Sequence, residues 1–282
     1  MVSVHVFKND YVLIKFIRMS YKNKTVWITG ASSGIGEAFA KAFYKDGANL
    51  ILSSRRKDEL ERVKKELGNG DTIKILPLDL AQSEILSQKV DDALKLFNGI
   101  DVLVNNGGVS QRSLFADTDL ATIRRILEIN FFGSVALTRF ILPHMISNQS
   151  GHIIVTSSVA GKFGTKFRSG YAASKHALHG IFDCIRQEMY EHNVHITLVC
   201  PGPIKTNITQ NSLTANGSTF NEMGKLHKSA MSAEDMVQRI WKGVKSKKEE
   251  IYISSPKERF ALFMKRLSPA LLNKILKRSN VV

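Results

Sequence analysis

The sequence predicts an α/β fold, a single doubly wound parallel sheet of about seven strands flanked by helices. Three observations predict it. Short β-branched runs alternate with longer amphipathic stretches from Thr25 onward, the runs are nearly unbroken apolar sequence, and a glycine-rich turn joins the first run to the first amphipathic stretch. In chain order, the run 25–29 feeds a helix near 35–46, and 49–53 feeds one near 57–67. The run 73–78 precedes a helix at 83–97, and 101–104 precedes the long stretch 119–147. The runs 152–156 and 195–199 enclose a helix at 171–191, and the stretch 233–246 leads to a last strand at 250–253. Each helical stretch carries apolar residues at helical spacing. Strand cores such as Val26-Trp27-Ile28 and Ile153-Ile154-Val155 lack polar alternation, as expected when helices cover both faces of the sheet. The connection from Pro201 to Met231 is rich in Asn, Ser, Thr and Gly and has no clear period, so a substrate lid is expected over 203–231.

A chain of 282 residues fits one such domain with extensions: a leader at 1–20, the domain at 21–255 and a C-terminal extension at 256–282. The apolar fraction of 43% and charged fraction of 23% exclude a disordered chain and a polytopic membrane protein. Two cysteines, Cys184 and Cys200, make neither a disulfide framework nor a zinc site, and both are expected as buried small hydrophobes. No metal is expected, and the compartment reads as reducing and cytoplasmic, with a peripheral membrane location as the alternative. The apolar run Tyr11 to Ile17 is interrupted at Lys15 and flanked by charge, well short of the ~20 residues of a membrane span, and it makes a poor signal peptide. Met19 is an alternative start to Met1.

The formal net charge of +15 admits nucleic acid, an anionic membrane or an anionic dinucleotide as partner. Eleven Lys or Arg against three Glu fall in residues 242–278, so much of the excess lies in a tail, not on an aromatic-rich groove, and no nucleic-acid partner is expected. The stretch Phe260 to Arg278 mixes Leu, Phe, Met and Ile with Lys and Arg. Packing within a homodimer or homotetramer is the expectation for it, with contact to an anionic membrane or cover over a substrate cleft left open.

The first turn reads Thr29-Gly30-Ala31-Ser32-Ser33-Gly34-Ile35-Gly36 between a strand and a helix. Glycines there allow close backbone approach to a pyrophosphate at the helix N-terminus, which makes the domain Rossmann-type. The second strand ends on Ser54-Arg55-Arg56, where a fold selecting NAD places a carboxylate on the ribose 2′-hydroxyl. Guanidinium groups suit a 2′-phosphate, so the cofactor is expected to be NADP(H). Asp79, after the third strand, either accepts from the adenine amino group or caps the following helix. Asn105-Asn106-Gly107-Gly108 ends the fourth strand, where the ligand crevice of an open sheet lies. Tyr171 and Lys175 are four apart and share one helix face, so the ammonium can favour the ionised phenol and bring proton transfer to neutral pH.

With Asn130 in the long helix, Ser158 thirteen residues before Tyr171, and Pro201-Gly202 after the sixth strand, the chain from about residue 21 to 254 resembles the short-chain dehydrogenase/reductase family, one-domain branch. The resemblance implies that Tyr171 transfers the proton, Ser158 holds the substrate oxygen and Lys175 binds the nicotinamide ribose and lowers the Tyr171 pKa. It gives Asn130 a part in a water-mediated proton relay. It places the cofactor along Gly30, Ser32, Ser33, Gly34, Ile35 and Gly36, then Ser54, Arg55, Arg56, Asp79 and Leu80, then Asn106 and Gly107, and finally Pro201, Gly202, Ile204 and Thr206. An NADP(H)-dependent oxidoreductase of a small-molecule carbonyl or alcohol is thereby implied; a non-catalytic dinucleotide sensor is the alternative. Gly107 stands where the family usually has Ala, and the missing methyl is expected to loosen that turn. The run Asn105 to Leu114 resembles the dehydrogenase/reductase member 7 subgroup, whose animal forms act on lipophilic carbonyls.

Overall fold

The computed structural model describes residues 20–220 and 230–278; the leader 1–19 and residues 221–229 of the expected lid lie outside them. The strands are β1 (Thr25–Thr29), β2 (Asn49–Ser53), β3 (Ile73–Ile75), β4 (Val102–Asn105), β5 (Gly151–Thr156), β6 (Val194–Pro201), β7 (Ile204–Lys205), β8 (Met231–Ser232) and β9 (Glu250–Ile253). Seven of them form one parallel sheet in the order β3-β2-β1-β4-β5-β6-β9, while β7 pairs with β8 and brackets the 203–231 connection. The helices are α1 (Gly34–Lys45), α2 (Lys57–Glu66), α3 (Leu86–Leu96), α4 (Leu120–Leu127), α5 (Gly133–Ser147), α6 (Ser169–Glu188), α7 (Ala233–Lys245), α8 (Pro256–Leu267) and α9 (Pro269–Arg278).

Side-chain alternation along the strands builds two cores. Val26 and Ile28 of β1 face a core shared with Phe39 and Phe43 of α1 and Met236 and Ile240 of α7. Trp27, between them in sequence, faces the opposite core with Leu137 and Ile141 of α5 and Phe182 of α6. The sheet is therefore covered on both sides, which is why its strands are apolar throughout.

Three departures have physical causes. The third strand ends at Ile75 and not at 78: the Leu76 and Leu78 amides still donate to the Leu52 and Ser54 carbonyls at 3.0 and 3.2 Å, but the Pro77 ring between them fixes a φ that breaks the regular strand. The expected helix 119–147 runs unbroken from 120 to 147, but a π turn at Glu128–Phe132 joins α4 to α5 and holds Asn130. That helix has the length and apolar composition of a membrane span, and in this fold it packs against α3 and α6. Cys200 is buried as expected, whereas Cys184 is exposed on α6, which corrects its placement in the core.

The C-terminal extension folds back on its own domain. Ala261, Met264 and Leu272 bury themselves against Val159 and Phe163 of the segment before α6. Of the readings open for this stretch, cleft cover describes its inner face. Phe260, Phe263, Leu267, Leu271 and Ile275 stay exposed on the outer one.

Candidate active site

The carboxyl ends of β1, β2, β4, β5 and β6 open into one cleft of about 910 Å³. That volume falls within the ~300–1,000 Å³ of small-molecule sites. At its floor, Gly30 has a φ of +66°, and a Cβ there would come 2.8 Å from the Gly107 Cα. At Gly36 a Cβ would come 2.2 Å from the Gly30 carbonyl oxygen. The first position demands glycine for its backbone conformation and the second for close helix–strand approach. Ser33, the N-cap of α1, makes no side-chain cap, so the first amides of this helix are left to an anion.

Thr29 clasps the ends of β1 and β4. Its hydroxyl donates to the Val104 carbonyl at 3.1 Å and accepts from the Asn106 and Gly107 amides at 3.0 Å each. Asn106 Nδ2 returns a bond to the Thr29 carbonyl at 3.1 Å, and Thr156 Oγ1 donates to Asn106 Oδ1 at 3.2 Å, carrying the clasp to β5. A methyl on Gly107 would meet Leu80 Cδ1 at 2.6 Å. Leu80 thus fills the space of the missing methyl.

Past β2, Ser54, Arg55 and Arg56 line the cleft beside Ser32 and Ser33. Ser54 Oγ accepts from the Arg56 amide at 3.2 Å, and Arg56 Nη2 reaches the Ser32 and Ser33 hydroxyls at 3.3 and 3.5 Å. The acidic residue nearest in sequence on α1, Glu37, is committed to Arg62 at 2.9 Å and Lys41 at 2.7 Å. Asp79 lines the cleft and accepts from the Ala81 amide at 3.0 Å.

Tyr171 and Lys175, 7% and 4% exposed, project from α6 into the same cleft as Ser158. Burial raises the Tyr171 phenol above its ordinary value, and the Ser158 hydroxyl and Arg168 guanidinium act against that rise. Lys175 donates to the Thr156 carbonyl at 2.7 Å, and its Nζ lies 5.8 Å from the Tyr171 ring centroid. Burial brings the Lys175 pKa down to about 8. Ser158 and Arg168 are the groups that ease ionisation of the phenol in this arrangement. Ser157 points away, donating to the Lys175 carbonyl at 3.3 Å, while Ser158 donates to the Pro201 carbonyl at 3.3 Å and accepts from the Ala160 amide at 3.1 Å.

Of the expected residues, Gly36 and Asn130 stand behind the wall of the cleft, and the others line it. The Asn130 amide is engaged at both ends. Oδ1 accepts from the Val109 amide at 2.8 Å, and Nδ2 donates to the Val109 carbonyl at 2.9 Å and Ser174 Oγ at 3.0 Å. Its side chain ties the end of β4 to α6.

Other residues at the site carry no such signal in the sequence. Gln111 is fully buried, and its Oε1 accepts from the Gly170 and Tyr171 amides at 2.7 and 3.3 Å, so it caps the first turn of α6 from 59 residues away. Caps are normally read from adjacent residues, and nothing local marks this one. Lys257, Glu258 and Ala261 of α8 and Leu276 of α9 also line the cleft.

Known proteins share this sequence pattern and fold. The family model described as short chain dehydrogenase matches residues 24–217. The chain is 39% identical over 259 residues to a fruit-fly (Drosophila melanogaster) dehydrogenase/reductase SDR family protein 7-like, spanning 90% of this chain and 79% of that one. It is 37% identical to mouse (Mus musculus) dehydrogenase/reductase SDR family member 7B, over 90% of this chain and 80% of the other. Among solved structures, a short-chain dehydrogenase/reductase from Burkholderia phymatum in complex with NAD superposes with a TM-score of 0.79 at 21% identity, covering 90% of this chain and 96% of that one. With this fold, this cleft and these relatives, the chain belongs to the short-chain dehydrogenase/reductase family of oxidoreductases.

Proposed function

We propose that the chain is an NADP(H)-dependent oxidoreductase that interconverts a carbonyl and a primary or secondary alcohol, with Tyr171 as its proton-transferring residue. The observation that carries this reading is one cleft joining Tyr171, Ser158 and Lys175 to a strand end, Ser54-Arg55-Arg56, that bears guanidinium groups where NAD selection needs a carboxylate. When bound, the nicotinamide dinucleotide supplies the hydride. The uncapped amides of α1 fit its pyrophosphate, and Arg55 and Arg56 with the Ser32 and Ser33 hydroxyls fit a 2′-phosphate. Asp79 and Leu80 serve the adenine side; Asn106, Gly107 and Lys175 the ribose; and Pro201, Gly202, Ile204 and Thr206 close the cleft from β6.

Tyr171 gives its proton to the carbonyl oxygen in reduction and takes it back in oxidation. Ser158 holds that oxygen beside the phenol. Deprotonation leaves a buried anion, and the Ser158 hydroxyl and the Arg168 charge stabilise it. Val159, Phe163, Leu213 and Ala261 give the substrate end apolar walls, which supports a lipophilic substrate.

The test is turnover with NADPH and NADH over a panel of ketones, aldehydes and quinones. Wild type is expected to prefer NADPH by about tenfold or more, as a lost charge-assisted pair implies. Tyr171→Phe is expected to lose about a hundredfold or more in kcat while still binding NADPH. Cofactor binding with no turnover on any of the panel would point to a dinucleotide sensor.

A further inference from the structure

Arg168 is the N-cap residue of α6, three positions before Tyr171, and it lines the substrate end of the cleft. Its Nε is buried and has no hydrogen-bond partner among the described residues. Among the described residues no carboxylate forms a salt bridge with its guanidinium. The carboxylates that line the cleft are occupied elsewhere: Asp79 accepts from Ala81, and Glu258 caps α8 by accepting from the Ser255 amide at 2.7 Å. A buried guanidinium N–H without an acceptor costs free energy that a bound acceptor recovers.

The surroundings add positive charge. Arg125 lines the same cleft, and the half-buried Arg112 lies close enough to Arg168 for the two charges to oppose one another. The backbone that delivers Arg168 is strained, since Phe167 takes a φ of +67°, which a bulky side chain rarely adopts. Such outliers gather at ligand-binding segments. Beside the guanidinium lies the apolar wall of Val159, Phe163, Leu213 and Ala261.

Resting on the oxidoreductase reading, we propose that the substrate is a carbonyl compound bearing an anionic group, a carboxylate or phosphate, which Arg168 holds about one helical turn from the carbonyl oxygen at Tyr171, with its apolar portion along that wall. The guanidinium fork bonds two oxygens of either anion.

The test uses the full chain, NADPH and two matched pairs: a medium-chain keto acid against its methyl ester, and a hydroxyketone phosphate monoester against the parent hydroxyketone. Wild type is expected to favour the charged member of one pair by about tenfold or more in kcat/KM, and that pair names the anion. Arg168→Gln is expected to erase the preference through KM, and Arg168→Lys to keep part of it. A preference that survives in Arg168→Gln, with equal losses on both members, overturns the proposal, as does a wild type that favours the neutral members. Binding of the charged compounds to the enzyme–NADPH complex, followed by NADPH fluorescence, separates the two readings. Arg168-dependent binding without turnover supports the anion site and overturns the oxidoreductase reading. Turnover of the neutral members with no Arg168-dependent binding does the reverse.

Discussion

Lys175 sits where its charge is costly to the fold. Its ammonium is buried with one carbonyl bond, to Thr156, and burial lowers its pKa from 10.5 to about 8. Between those two values the unfolded chain holds more protons than the folded one, so stability rises with pH across the window and the penalty is fully present below about pH 8. At pH 7 the difference is on the order of 3 kcal/mol. Lys175→Met is therefore expected to raise the Tm of the cofactor-free protein at pH 7, to lose that advantage near pH 10, and to cut turnover by about a hundredfold or more. Thermal unfolding at the two pH values checks it, and an unchanged or lower Tm at pH 7 refutes the buried-charge account. Tyr171, Lys175 and Ser158 were legible in the sequence because a shared helix face and a fixed spacing mark them. Gln111 and Arg168 were not, because a long-range cap and an unpartnered guanidinium exist only once the chain has folded.

At the scale of elements, α8 and α9 bring Ala261, Met264 and Leu272 onto Val159 and Phe163. Of these, Met264 and Leu272 each contribute about 1.5–3 kcal/mol and Ala261 about 0.8 kcal/mol. Removing residues 256–282 is expected to lower the Tm by several degrees and to raise the KM for lipophilic carbonyls about tenfold, since Ala261 and Leu276 also line the cleft. Steady-state kinetics decides it: an unchanged KM in the truncated protein takes these helices out of the substrate site. The amphipathic, basic character of the extension was readable, but its docking place was not, because periodicity names a face without naming what covers it. Pro77 announced the short third strand to a reader who weighed its fixed φ. The π turn at Asn130 had no such herald, since its extra residue leaves the apolar period of 119–147 nearly intact.

Across the whole molecule, His152 joins three parts of the chain. It lies on β5, 2% exposed, with its ring between the Tyr21 hydroxyl at 3.1 Å and the Thr197 hydroxyl of β6 at 2.9 Å. Burial lowers its pKa from 6.5 to about 3, so the unfolded chain takes up the proton first as pH falls. Stability is then lost progressively between about pH 6.5 and 3. The urea midpoint is expected to drop between pH 7 and pH 4, and His152→Gln to flatten that slope; an equally steep slope in the variant assigns the acid sensitivity elsewhere. Alternation of strand and helix sufficed to read the doubly wound architecture, since a parallel sheet permits few right-handed crossovers. The strand order also has a consequence for biosynthesis. The chain lays down β1 to β4 first, and with them Gly30, Arg56 and Asn106, before it reaches Ser158, Tyr171 and β5. During translation the glycine-lined end of the cleft is therefore drafted ahead of Tyr171, and β4 waits with one bare edge until β5 emerges to cover it. A chain released early is a half-built sheet with an adhesive rim, so completing the half that carries Tyr171 is also what makes the first half safe in a crowded cell.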